Sequence, residues 1–304
     1  MRNIKIKFSL ATCFTLLVQF ANAQGCSDAG FCTLNSFKPN SLDSIDKMKN
    51  QFKIGVSFGK ADYAISTFGN YLEYNRILNN KFSIDVKLTS LLQQGNNVLA
   101  LGLSDIYLNA NYKIAGRTRL TFGTKIPLTN GNQMKANLSL PMDYQSSLGT
   151  YDLTCGIGYE IKNIQLVAAL QQPLTQNSNG FIAESYPVNS ALRAFQSTNK
   201  FKRSGDVLFR VSYPIMLGKK MKLTPSLLSI YHLSTDKFTD ALGIVNDIKG
   251  SEGLTLNGNV YFDYDINKSN LLQLNLGVPF VVRDTRPDGL TRSFIVNLEY
   301  RIKF

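Results

Sequence analysis

The chain ends in a segment, SFIVNLEYRIKF, in which apolar and polar side chains alternate without interruption. Its apolar members are Phe294, Val296, Leu298, Tyr300, Ile302 and Phe304. Successive side chains of a β-strand point to opposite faces, so this alternation predicts a strand with one apolar and one polar face. A chain built from many such strands must bury or cover every apolar face that it creates.

The same period of two recurs from residue 52 to the end of the chain and predicts about twelve strands. The predicted spans are 52–60, 66–77, 81–91, 98–114, 117–128, 149–161, 164–172, 205–215, 219–232, 251–266, 271–284 and 292–304. Most are longer than the roughly 5 to 6 residues of a soluble strand, and reach the roughly 9 to 11 that cross a membrane.

The connections between these strands alternate in length. Tight turns are predicted at 79–80, 115–116, 162–163, 218–219 and 267–269, and longer loops at 61–65, 92–97, 129–148, 173–204, 233–250 and 285–291. All tight turns then fall at one end of the sheet, as in outer-membrane barrels with short periplasmic turns and long extracellular loops. The sequence therefore predicts an all-β, up-and-down antiparallel transmembrane barrel with both termini in the periplasm. A soluble β-sandwich would not explain the long strands or the one-sided loops.

The first 23 residues predict a secretory signal peptide, with a buried helix or a membrane anchor as the alternative. Arg2, Lys5 and Lys7 precede the apolar stretch 8–20, and small residues at 21–23 suit cleavage before Gln24. The predicted organisation is a signal peptide at 1–23, an N-terminal segment at 24–51 that is a candidate plug, and the barrel at 52–304.

A barrel in lipid directs its apolar face outward and its polar face into the lumen. The predicted lumen-lining charges are Lys53, Glu73, Asp85, Lys87, Asp105, Arg119, Lys125, Asp152, Glu160, Asp206, Arg210, Lys222, Asp263, Asp265, Glu299, Arg301 and Lys303. Their signs nearly balance, so they predict either internal ion pairs that fill the barrel or a polar path for a small solute. They form no ring of a single sign of the kind that selects ions.

The excess of 33 Lys and Arg over 21 Asp and Glu is scattered along the chain. Without a basic cluster that interleaves aromatics, nucleic acid is not a predicted partner, whereas anionic lipid head groups are. Cys13 belongs to the predicted signal peptide and Cys155 to a predicted strand, which leaves Cys26 and Cys32. These two and a single histidine do not make a zinc site, and no glycine loop that would cradle a phosphate precedes a helix. No metal and no cofactor are predicted.

Several segments resemble a known family. The stretches LGLSDIYLNANYKI, FGTKIPLTNG and SSLGTYDLTCGIGYEI are similar to strands and loops of the phenol-pathway and hydrocarbon transporter group of Gram-negative outer-membrane barrels. The terminal Phe304 is similar to the signal read by the barrel assembly machinery. GCSDAGFC, at 25–32, looks like segments of exported Bacteroidota barrels. The resemblance implies an outer-membrane channel for small molecules, apolar ones included.

Two other functions are kept open. His232 and Ser234 resemble the His-x-Ser pair of outer-membrane phospholipase and lipid A deacylase barrels, in which histidine is the base and serine the nucleophile. Thr235 follows here where that motif has asparagine. The third hypothesis is a structural or assembly-partner barrel that transports nothing.

Cys26 and Cys32 are predicted to form a disulfide in the oxidising periplasm, with free thiols, a redox or metal role, or a lipidated Cys26 as alternatives. Cys155 is predicted to face lipid. The loop 173–204, with Phe181, Tyr186 and Phe195, is predicted to fold inward, to bind a partner or to contact lipid.

Overall fold

The computed structural model describes residues 33–39, 48–114, 117–289 and 292–304. The signal peptide, the Cys26–Cys32 pair, the turn at 115–116 and most of the segment 24–51 lie outside the described residues. No helix in the described part of the chain has the length and apolar character that a membrane crossing requires.

Twelve long strands make up the described sheet. They are β1 Asn50–Lys60, β2 Ser66–Ile77, β3 Phe82–Gly95, β4 Val98–Lys113, β5 Thr118–Pro127, β6 Asp152–Ile161, β7 Ile164–Pro173, β8 Asp206–Ser212, β9 Met221–His232, β10 Gly253–Asp265, β11 Asn270–Val281 and β12 Phe294–Lys303. Each pairs antiparallel with its neighbours in sequence, and β1 pairs with β12 over ten residues from Gln51↔Lys303 to Lys60↔Phe294. The sheet therefore closes on itself, which confirms the predicted barrel.

The outer surface of this barrel is apolar. Leu99, Leu101 and Leu103 on β4, together with Phe122 on β5, are among the most exposed of its large hydrophobic side chains. Cys155 on β6 is paired in register with Phe122, on the same outward face, and forms no disulfide. Charged side chains on the opposite face are buried. A barrel with this polarity suits surrounding lipid rather than water.

One predicted loop is wrong. Residues 92–95 are the last residues of β3. Asn96 and Asn97 form a two-residue turn into β4, and Gly95 and Val98 on either side of it are paired. Both turn residues have positive φ, at 50° and 59°, which is the backbone that a two-residue hairpin favours and that asparagine tolerates. The long-loop end thus contains one tight turn.

The longer connections fold over the long-loop end of the barrel. They contain two short hairpins, Met134–Lys135 with Leu138–Ser139 and Asp236–Thr239 with Val245–Ile248. An apolar cluster joins the loop 128–151 to the loop 174–205: Leu140, Tyr144, Phe181, Ala183, Tyr186, Leu192 and Phe195 are all buried in it. The three aromatic residues noted in the sequence of the second loop therefore pack against the first loop.

Candidate functional site: the barrel lumen

Opposite charges face each other across neighbouring strands of the inner wall. The Lys53 Nζ lies 2.8 Å from the Glu73 Oε1, and the two residues are directly paired between β1 and β2. The Lys125 Nζ lies 2.9 Å from the Asp152 Oδ2, again between directly paired residues. All four side chains are fully buried, and removing one partner from such a pair would strand the other charge.

The structure places the predicted lumen charges in two groups. The buried members are Lys53, Glu73, Asp85, Lys87, Asp105, Lys125, Asp152, Asp206, Arg210, Asp263, Glu299 and Arg301. Arg119, Glu160, Lys222, Asp265 and Lys303 instead line a cavity at the short-turn end. Buried charges of both signs, joined in pairs, give the wall its polarity without filling the whole barrel.

Residues 33–39 lie inside the barrel and are held there by polar contacts. The Lys38 Nζ donates to the Glu299 Oε2 on β12 at 2.8 Å. The Ser36 hydroxyl donates to the Asp85 Oδ2 on β3 at 2.9 Å, and the Lys53 Nζ on β1 donates to the Asn35 Oδ1 at 2.6 Å. This inserted segment therefore bonds to strands on both sides of the seam where β1 meets β12.

Apolar contacts anchor the inserted segment to the opposite wall. Leu34 and Phe37 are each 1% exposed. They belong to a cluster that includes Tyr107, Val167, Ala169, Leu208, Leu228 and Ile230 on β4, β7, β8 and β9. Gly156 on β6 leaves room for the ring, since a Cβ at that position would come within 2.5 Å of the Phe37 ring.

This apolar patch in a polar lumen was not foreseen from the alternation of the strands. Leu228 and Ile230 lie on the same inward face as His232. The signal that was available is the pair of apolar residues, Leu34 and Phe37, in an otherwise polar stretch of the N-terminal segment. Their spacing alone does not say which wall they contact.

Two cavities border the inserted segment. One, of about 160 Å³, extends from Thr33 and Lys38 toward the loops and includes Asp105, Ser147 and Arg292 in its lining. The other, of about 560 Å³, opens among the short turns, and Asn35 is part of its lining. The segment thus forms part of the wall of both cavities.

Buried ion pairs hold the long loops together above the smaller cavity. The Arg203 Nη2 lies 2.6 Å from the Asp206 Oδ2 and 3.3 Å from the Asp288 Oδ2, and the Arg283 Nη2 lies 2.9 Å from the same Asp288 oxygen. Burial opposes ionisation of Asp288, but the Arg283 and Arg203 guanidiniums hold the pKa of that carboxyl well below its usual range. We call these four residues, together with His232 and Asp236, the loop clamp.

His232 is part of this clamp rather than of a catalytic pair. Its Nδ1 lies 2.7 Å from the Asp206 Oδ1 and its Nε2 lies 2.8 Å from the Asp236 Oδ1. The Ser234 hydroxyl, by contrast, is exposed and donates to the Ser204 hydroxyl at 2.9 Å. Because carboxylates occupy both ring nitrogens, neither nitrogen is available to activate Ser234. The structure does not bring the two residues together as a base and its nucleophile.

Another carboxyl at the long-loop end has a shifted pKa. Asp143, in the short helical turn Met142–Tyr144, is half-buried and lies near Asp62 and Asp288. Desolvation, with repulsion from those two carboxylates, raises its pKa to about 7. Within the part of the chain that the structure describes, no group of histidine, cysteine and carboxylate side chains is arranged to hold a metal ion.

The fold is similar to that of a solved outer-membrane protein. The COG4313 outer membrane channel from Pseudomonas putida F1 superposes with a TM-score of 0.60 at 13% identity, covering 88% of this chain and 99% of that one. The CymD monoaromatic hydrocarbon channel gives 0.46 at 8% identity, with coverage of 92% and 94%. No family model and no curated protein matches the sequence. At these identities the first likeness establishes the fold, a closed antiparallel barrel of the outer-membrane type, and nothing finer.

Proposed function

We propose that this protein is an outer-membrane channel for small solutes and that the inserted segment 33–39 closes the waist of its lumen. The observation that carries the proposal is a polar lumen with a cavity on each side of a short, specifically anchored segment. A barrel that only anchored other proteins would need neither cavity. The similar fold of a protein described as an outer membrane channel supports the same interpretation.

The orientation of the channel follows from the same proposal. The long loops face the cell exterior, and the short turns face the periplasm together with both termini. The exposed apolar wall contacts the lipids of the outer membrane, and the C-terminal strand ending at Phe304 is the part read by the assembly machinery. In this proposal the chain is one of the hydrocarbon-transporter-like barrels, of Bacteroidota type, that its sequence resembles.

The lumen favours polar over apolar solutes. The apolar patch that its described wall contains is covered by Leu34 and Phe37, while the lining of both cavities carries many charged and amide side chains. An apolar solute would have to displace Leu34 and Phe37, whose removal from an apolar site costs about 1.5–3 kcal/mol for each side chain. Small polar solutes need no such exchange at either cavity.

Single-channel conductance in planar lipid bilayers tests the proposal. Replacing Leu34 and Phe37 together by alanine removes the apolar anchors, so we expect larger and more frequent open levels than in the unmodified protein. Phe209→Ala is the matched control, because this phenylalanine lies on the lipid-facing side of β8 and is not a member of the inserted segment's cluster. Silent bilayers with all three proteins would contradict a channel. Equal conductance in all three would contradict closure by the segment.

A further inference from the structure

We propose that the smaller cavity, on the long-loop side of the inserted segment, binds a small organic anion that carries hydroxyl groups. The inference rests on the proposed channel function, because it names the solute class that the channel takes up. It is argued from the size of the cavity, the charge of its lining and the unpartnered amide atoms in its wall.

The size of the cavity sets the size of the ligand. Its volume of about 160 Å³ is close to the roughly 150 Å³ of an engineered protein cavity that binds benzene. The ligand is therefore a molecule of benzene-like size, such as a three- or four-carbon acid, and not an oligosaccharide.

The charge of the lining favours an anion. Among the described residues that line the cavity, five are cationic and two, Asp105 and Asp288, are carboxylates. The cations are Lys38, Lys87, Lys125, Arg210 and Arg292. Glu299 and Asp152, which pair with Lys38 and Lys125, are not part of the lining. A cleft lined mainly by one sign of charge attracts ligands of the opposite sign.

Two amide atoms in the wall of the cavity have no hydrogen-bond partner. Asn259 is only 5% exposed, and its Nδ2 donor has no hydrogen-bond partner; the Oδ1 acceptor of Asn275, on the adjacent strand β11, has none either. Both residues line the cavity. Leaving a buried polar atom unpaired costs about 1–3 kcal/mol, so such atoms in native proteins require an explanation. A hydroxyl group both donates and accepts, and therefore satisfies a donor and an acceptor in one wall.

The backbone beside Asn259 leaves room for its amide. Gly277 is paired with Asn259 in register, and a Cβ at Gly277 would come within 2.7 Å of the Asn259 Oδ1 and 3.0 Å of the Ile295 Cγ2. Any larger residue at this position would displace the amide. Gly277→Ala is therefore a second way to disturb the site without removing its polar atoms.

Calorimetric titration of the purified full-length protein tests the inference with three size-matched probes: glycerate, glycerol and butyrate. Glycerate has both the charge and the hydroxyls, glycerol lacks the charge, and butyrate lacks the hydroxyls. We expect glycerate to bind about tenfold or more tightly than either of the others, and Asn259→Leu and Gly277→Ala each to weaken it about five- to tenfold. Gln51→Leu is the control, since it removes an amide that lines the other cavity. Equal binding of the three probes, no binding of glycerate, or unchanged binding in both variants would overturn the inference.

Uptake of the same three probes into proteoliposomes separates this inference from the proposed function. Binding of glycerate without uptake of any probe keeps the site and overturns the channel. Equal uptake of all three probes without selective binding keeps the channel and overturns the site. Selective binding with faster uptake of glycerate supports both.

Discussion

The two ends of the barrel are built differently. At the long-loop end, the loop clamp and the apolar cluster around Tyr144 and Phe181 tie together loops that are far apart in sequence. At the short-turn end, a cavity of about 560 Å³ lies among tight turns, and the Lys222–Asp263 pair there is longer, at 3.6 Å, with the lysine partly exposed. Closure at the first end therefore depends on a few tertiary contacts that single substitutions can remove, whereas the second end depends on the strands themselves.

The largest expected effect comes from breaking the clamp at Asp288. Asp288→Ala leaves the buried guanidiniums of Arg203 and Arg283 without the carboxylate they share, and removing one partner from a buried ion pair typically costs about 3–5 kcal/mol. We expect a lower free energy of unfolding in urea and faster proteolysis within 174–205. Lys222→Ala, at the other end, is the comparison and should cost less than Asp288→Ala, because the pair is longer and Asp263 keeps its hydrogen bond from Gln273. Equal losses in the two variants would show that the ends do not differ.

A smaller effect is expected at the waist between the two ends. Lys38→Met keeps the length of the side chain but removes its hydrogen bond to Glu299, and hydrogen bonds to charged groups contribute about 1.5–3 kcal/mol. We expect the backbone amides of 33–39 to exchange with solvent faster, by hydrogen exchange and mass spectrometry. Lys49→Met makes the same change of charge at an exposed position and should leave this exchange unaltered. If these amides remain equally protected from exchange in Lys38→Met, the apolar contacts of Leu34 and Phe37 alone hold the segment in place.

The pH dependence of stability should also differ between the ends, through Asp143. Its pKa in the folded protein is about 7 and an unfolded aspartate has a pKa of about 3.9, so the folded state holds a proton that the unfolded chain has lost. The contribution of this group to stability is therefore present at low pH and is lost as the pH rises from about 4 to about 7, by at most about 1.4 kcal/mol per pH unit.

Urea unfolding between about pH 5 and about pH 8 measures this loss, and Asp143→Asn should flatten it. Asp288 has the opposite sign, because its lowered pKa means that its contribution disappears only as the pH falls below about 4. His232 also titrates within this range and contributes equally to both profiles, so the difference between the unmodified protein and Asp143→Asn isolates Asp143. A pH profile of the unmodified protein that matches that of the variant would contradict the prediction.

The smallest effect is expected at the turns. Lys162, at the short-turn end, has a positive φ of 54°, which costs a residue with a side chain about 1–2 kcal/mol relative to glycine. Lys162→Gly should therefore stabilise the barrel by about 1 kcal/mol or less, once the greater freedom of the unfolded glycine is counted. Asn97→Gly, at the other end, should change the stability of the barrel by less, because asparagine tolerates this backbone conformation well. Thermal unfolding of both variants is the measurement.

The strands were predictable because each one carries its own pattern. The span 66–77 coincides with β2, and most other bounds agree within a few residues. The predicted span 205–215 is interrupted after Ser212, since Pro214 lacks the N–H that a continuous ladder requires, and pairing with β9 resumes at Ile215–Met216. The tight turn at Asn96 and Asn97 was missed because Gln93, Gln94 and Gly95, which end β3, have the composition of a loop.

The site was predictable only in part, because alternation gives the face of a residue and not its partner. Asp85 and Glu299 were assigned to the lumen, but their bonds to Ser36 and Lys38 depend on a segment that has no strand pattern. The loop clamp was missed for a similar reason. Its members come from three connections and from the ends of β8 and β9, and only the folded barrel brings Arg203 and Arg283 to the same carboxylate of Asp288.

The position of the inserted segment also constrains how the barrel assembles. Lys38 and Glu299 are separated by 261 residues, and Glu299 lies on the last strand to be made. Contacts of such long sequence separation form slowly, since the chain between them must first be ordered. The bond between Lys38 and Glu299 therefore cannot precede the arrival of β12 beside β1. The inserted segment is therefore fully bonded only after the barrel has closed.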